Sequence, residues 1–262
     1  MNNLKDWIIN SIGIVTAIAG FLALPETYRT EGYVAFVIIL LIILFRLIQA
    51  RRTHIGEIDD PPYVIRIAET RDLGKIAKLQ KKFYGKDAVP FEIYQSWHQA
   101  NGRGFYVFIK ENEKELIGHL TFLAIKQNAL DRYKEGAIVE TEIRGTDIIP
   151  SNRNSEMNHI YIESLIIEPE DRRNFLPELV RLLPDMIKSF CEGKLEHIKD
   201  VYAMAATSNG TDVLKNNGFQ LVKRGRLVRK DKHEMYVSSF RDFYSAIEIK
   251  ADRFNPHLPK KY

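Results

Sequence analysis

Apolar positions along this chain follow two regimes. In the first fifty residues they come in unbroken runs, and after residue 62 they recur at the spacings of helices and strands. The runs are WIINSIGIVTAIAGFLAL (7–24) and YVAFVIILLIILFRLIQ (33–49), neither with an acidic residue, and Arg46 is their one internal charge. As helices they would cover roughly 25–27 Å, enough to cross a hydrocarbon core when flanking groups snorkel. IILLIILF is apolar on every helical face, unlike an amphipathic core helix. No small-residue cleavage site follows the first run, as a signal peptide requires. The pattern therefore predicts a two-helix transmembrane hairpin over 1–50.

A linker over 51–62 is basic, then acidic, and is closed by Pro61 and Pro62. YVIRIA (63–68) then alternates like a strand. Thr70 is placed to cap a helix whose Leu73, Ile76, Leu79 and Phe83 share a face. A short helix over 91–99 follows Pro90, and 104–125 reads as a hairpin of two apolar strands around ENEK. Residues 137–145 are a candidate extra strand and 149–158 an exposed loop. A strand over 159–168, an amphipathic helix over 175–192 and a strand over 200–207 come next. A short helix over 212–217 is capped by Gly218, and FQLVKR and HEMYVSSF close the domain as strands. Residues 241–262 read as a C-terminal tail. One β-α-β unit inside a mostly antiparallel sheet makes the class α+β, preceded by two transmembrane helices.

Charge sets the topology. PETYRTEGY between the two runs carries one Arg and two Glu, whereas Lys5, Arg46, Arg51 and Arg52 lie toward the outer ends. The positive-inside bias then places both termini and the polar domain in the cytoplasm of a two-pass cell-membrane protein. Its first partner is the lipid bilayer. The hairpin also offers a route to self-association, with Asn10, Ser11 and Thr16 able to hydrogen-bond between helices. A net charge of +4 suits anionic headgroups or an anionic ligand and is too small to argue for nucleic acid, so no nucleic-acid partner is expected. The single cysteine, Cys191, excludes an intrachain disulfide, and with no HExxH or CxxC spacing no metal is expected. The basic run KRGRLVRKDK (223–232) reads first as a solvated hairpin tip.

Three segments carry a family resemblance. IRIAETRDLGKIAKLQ, IESLIIEPEDRR and AATSNGTDVLKNNGFQLV, in this order and spacing, resemble the GNAT acyltransferases over 63–240. The resemblance implies a GNAT-like mixed sheet flanked by helices. It implies transfer of acetyl from acetyl-CoA to an amine, with CoA as co-substrate. It also implies that the main chain at Leu165, Ile166 and Ile167 pairs with the pantetheine amides. Arg172, Arg173, Asn174, Phe175 and Leu176 then lie along the stretch that receives the pyrophosphate. Glu163, on the central strand, is the candidate base; a strand residue pointing at solvent or paired with Arg or Lys is the equally weighted structural reading.

The chain departs from the family pattern at two points. Phe175 and Pro177 stand where glycines should let backbone N–H groups approach the pyrophosphate, and no glycine occurs between Gly145 and Gly193. Leu214 occupies the place of the tyrosine that protonates the departing thiolate in many family members. Tyr161 and Ser208 are substitute donors. Two functions follow. One is a membrane-anchored N-acyltransferase. The other is a catalytically degenerate GNAT-fold module that binds a ligand or protein as a membrane-anchored sensor or effector.

Overall fold

The computed structural model describes residues 63–111, 114–222 and 233–254. Both apolar runs, the linker and the basic run at 223–232 lie outside the described residues, so the hairpin and its topology remain expectations from sequence. Among the described residues, no helix is long and apolar enough to cross a membrane.

The described residues belong to one compact unit. Its strands are β1 (Tyr63–Ile67), β2 (Phe105–Lys110), β3 (Glu115–Leu123), β4 (His159–Ile167), β5 (Asp200–Ala205), β6 (Gln220–Leu221) and β7 (Glu234–Ser239), ordered β1-β2-β3-β4-β5-β7-β6 in one sheet. Only β4 and β5 pair in parallel; the other neighbours are antiparallel. The predicted β-α-β unit is therefore β4, the helix α4 (Pro169–Phe190) and β5.

Two apolar cores cover the two faces of the sheet. On one lie α4 and the last helix, α6 (Phe240–Arg253), through Phe175, Leu179, Met186, Ile187, Phe190, Phe243 and Ile247. On the other lie α1 (Leu73–Tyr84), α2 (Phe91–Asn101) and α3 (Gln127–Lys134), through Leu73, Ile76, Tyr94, Trp97, Leu130 and Tyr133. Trp97 is completely buried in the second core, and its indole N–H donates to Ile143 O at 3.0 Å. Cys191 is buried, and burial pushes its thiol up to about 12.

Several sequence expectations change. Residues 241–253 are no tail but most of α6, because Phe240, Phe243, Ile247 and Ala251 recur at helical spacing and bury together. Residues 137–145 form no strand. They hold a 3-10 turn at Glu140–Glu142 and enter another at Gly145–Asp147. The helix α3 had been missed because its polar composition hides the buried Ala129, Leu130 and Tyr133. The 149–158 loop buries Ile149 and Met157 and contains a 3-10 segment, Ser151–Glu156. Thr70 does not cap α1. It opens a 3-10 turn in which the Glu69 N–H donates to Asp72 Oδ2 at 2.8 Å.

The largest change is at α4. It starts at Pro169, six residues before the predicted start, since proline is compatible with a first helical turn. It then continues through Pro177 and Pro184, each costing ~3 kcal/mol in a helix interior. Burial of its apolar stripe against the sheet offsets that cost.

Candidate active site

The site begins with a fault in the β3–β4 ladder. Thr121 pairs with Ser164 and Phe122 with Ile162, so Glu163 is the extra residue of a β-bulge. Pairing of β4 with β5 stops at Ile162 and Ala203. From Ser164 to Ile167, β4 has no strand partner on its β5 side among the described residues. The bulge also turns Ser164 onto the same face as Glu163, and its Oγ donates to Glu163 Oε2 at 2.5 Å.

Three elements converge on this carboxyl group. From α1, Gln80 Nε2 donates to Glu163 Oε1 at 2.9 Å. From α2, the Tyr94 hydroxyl donates to Oε2 at 3.3 Å and also meets Thr121 Oγ1. From β3, His119 Nδ1 lies 3.3 Å from Ser164 Oγ. With its proton on Nδ1, His119 begins a chain that runs through Ser164 to Glu163. Burial drops the His119 imidazole to about 3, so the ring is neutral. Glu163 is 9% exposed.

Burial, first, and the charge of Glu140, second, push Glu163 up to about 8 against the three donors that favour its charged form. Glu140 lies in the turn after α3 and accepts from the Tyr161 hydroxyl at 2.5 Å; Tyr133 and Tyr161 are joined at 3.0 Å. Burial raises the Tyr84 phenol as well, with Glu163 and Glu140 contributing. A carboxyl group with a pKa near 8 is mostly protonated at neutral pH and can take a proton from an amine as pH rises. Among the described residues Glu163 neither points at solvent nor pairs with Arg or Lys: it is buried, and its hydrogen-bond partners are Gln80, Tyr94 and Ser164.

The remaining candidate residues do not form one cluster. Leu165 is exposed on the open β4 edge, while Ile166 and Ile167 have buried side chains. Residues 172–176 lie inside α4, where successive side chains turn by about 100°. They do not form the loop that the resemblance implies. Phe175 is completely buried against Phe108 (ring centroids 4.8 Å apart) and Tyr63 (5.2 Å). Arg172 turns back to Ile167 O at 3.2 Å, and Arg173, Asn174 and Leu176 are exposed. Tyr161 is buried with its phenol raised well above the ordinary value, which unfits it as an acid. Ser208 is exposed at the start of α5 (Ser208–Asn216), and Leu214 is half-buried against the apolar core.

Sequence reasoning missed Gln80, Tyr94, His119, Thr121 and Glu140. A signal existed for three of them. Gln80 falls on the apolar stripe one turn after Ile76, and His119 and Thr121 interrupt one face of an apolar strand. Nothing local marks Tyr94 or Glu140.

No family model matches the chain, and no curated protein matches it. Solved structures do. The loading GNATL domain of CurA from Lyngbya majuscula is 15% identical, with TM-score 0.50, covering 69% of this chain and 98% of that one. A GNAT-like decarboxylase, GphF, in complex with isobutyryl-CoA is 14% identical, with TM-score 0.46 and coverage of 68% and 100%. A GNAT-family acetyltransferase from Staphylococcus aureus Mu50 is 13% identical, with TM-score 0.44 and coverage of 68% and 99%. The likeness to the first establishes the fold: residues 63 onward form a GNAT-like mixed sheet flanked by helices.

Proposed function

We propose that this GNAT-fold domain is an N-acyltransferase that moves an acyl group from a thioester, acetyl-CoA in the simplest case, to a primary amine. The observation that carries this reading is Glu163, a buried carboxyl group with its pKa raised to about 8, set on a bulge where β4 and β5 separate. An extended thioester lying along the open edge from Ser164 to Ile167 would present its carbonyl carbon beside that group. Glu163 takes a proton from the amine as nitrogen attacks; the C–N bond forms, the C–S bond breaks and the sulfur leaves as thiolate. With thiols ionising at ~8.5, a thiolate leaves without a protein acid, so Leu214 in place of a tyrosine is tolerable. A degenerate binding module gives no reason to keep a buried carboxyl group whose desolvation opposes folding at neutral pH.

The test is amine-dependent release of free thiol from acetyl-CoA by the full-length chain, assayed with millimolar primary amines. Release should rise with pH toward about 8. Release that is absent for every amine, or that ignores amine concentration, would discard the reading.

In the same proposal, the two apolar runs anchor the domain on the cytoplasmic side of a membrane. A cysteine introduced at Thr27 should react with an impermeant reagent outside intact cells, while one at Thr70 should be protected. Labelling at Thr70 would reverse this topology.

A further inference from the structure

Resting on the acyl-transfer reading, we propose that the donor is recognised through its thioester and pantetheine arm alone, and that carboxylates hold a nucleotide diphosphate off the N-terminus of α4. The open edge of β4 from Ser164 to Ile167 covers about 13 Å at ~3.3 Å per residue. It can pair with the two neutral amides of an extended arm whose thioester lies at Glu163. Past Ile167 such a ligand meets the start of α4. A helix start reached in this way ordinarily receives an anion, because its first N–H groups point outward along the helix dipole.

Here most of those donors are missing or spent. Glu168 N–H donates to Ile117 O at 2.8 Å, Pro169 has none, and Asp171 and Arg172 N–H both donate to Glu168 O, at 3.2 and 3.0 Å. Three carboxylates, Glu168, Glu170 and Asp171, crowd the same turn. Two nearby cations already serve them. Lys82 Nζ binds both Glu168 oxygens, at 2.6 and 2.7 Å, and Lys110 Nζ lies 3.8 Å from Asp171. Arg172, the residue that matches the family's phosphate arginine, is turned to Ile167 O. A diphosphate here would gain few backbone donors and meet like charge, whereas a neutral pantetheine arm has neither problem.

The test is calorimetric titration of the full-length chain with CoA, with pantetheine and with adenosine 3′,5′-diphosphate. CoA and pantetheine should bind within about threefold of each other, and the nucleotide should not bind at millimolar concentration. CoA binding about 30-fold or more tighter than pantetheine, or any saturable nucleotide binding, would overturn this inference and leave the acyl-transfer reading standing. Failure of both CoA and pantetheine to bind would overturn the two together. Glu170→Lys, at an exposed position, should tighten CoA by about tenfold and leave pantetheine unchanged. An equal effect on both ligands, or none on CoA, would count against repulsion as the cause.

Discussion

Glu163→Gln should lower amine acylation by about 100-fold or more at pH 7, the scale on which a general base contributes. The near-isosteric amide keeps the volume and can still accept from Gln80, Tyr94 or Ser164, so the fold and pantetheine affinity should persist. The wild-type rate should climb with pH toward the Glu163 pKa of about 8. The variant should lose that limb, so its deficit should widen as pH rises toward about 8 and Glu163 of the wild type ionises. Stability gives a second readout with a definite sign. The folded carboxyl group holds its proton up to about 8, and the unfolded one releases it near the ordinary 4.5. The native state therefore binds more protons across that window. Its stability is full below about 4.5 and falls as pH rises, by ~1.4 kcal/mol per pH unit, until Glu163 ionises. Glu163→Gln removes this dependence, so the variant should gain stability relative to wild type between pH 5 and pH 8. A Gln variant with wild-type turnover would exclude Glu163 as the base. A flat stability difference between those pH values would contradict its raised pKa.

Phe175→Ala should cost about 3–5 kcal/mol of stability, the usual range for deleting a fully packed aromatic ring. For a domain of this size the melting temperature should fall by roughly 10 °C. Phe175 has no exposed surface and closes the core between α4 and the sheet through Phe108 and Tyr63. Ligand affinity of the folded fraction should change little. The opposite result, a normal melting temperature with pantetheine or CoA binding lost, would return Phe175 to the ligand-binding role implied by the resemblance. The two variants separate the roles of neighbouring elements: the β4 bulge carries the chemistry and this part of α4 carries the core.

Local periodicity was enough to identify much of the domain. Alternation in 63–68 and the apolar stretches in 105–110 and 159–167 located β1, β2 and β4, and the stripe of Leu73, Ile76 and Leu79 located α1. These patterns are legible because a strand or helix must turn its own apolar side chains to one face, whatever it packs against. The order of elements then implied the β4–α4–β5 unit, and the family resemblance picked out Glu163 by its place just before the segment that it pairs with pantetheine. The two runs at 7–24 and 33–49 remain a statement of sequence.

Tertiary structure decided the rest. That Glu163 is the bulged residue follows from the β3–β4 register, Thr121 to Ser164 but Phe122 to Ile162, which pairs segments about forty residues apart in sequence. Gln80, Tyr94 and Glu140 reach the same site from separate helices and a turn, and no local pattern encodes that meeting. The start of α4 at Pro169 was hidden because an internal proline reads locally as a helix breaker, while the energy that carries the helix past Pro177 and Pro184 lies in its contacts with the sheet and α6. The same long-range packing made Phe175 a core residue and placed the stretch expected to receive the pyrophosphate, residues 172–176, inside α4.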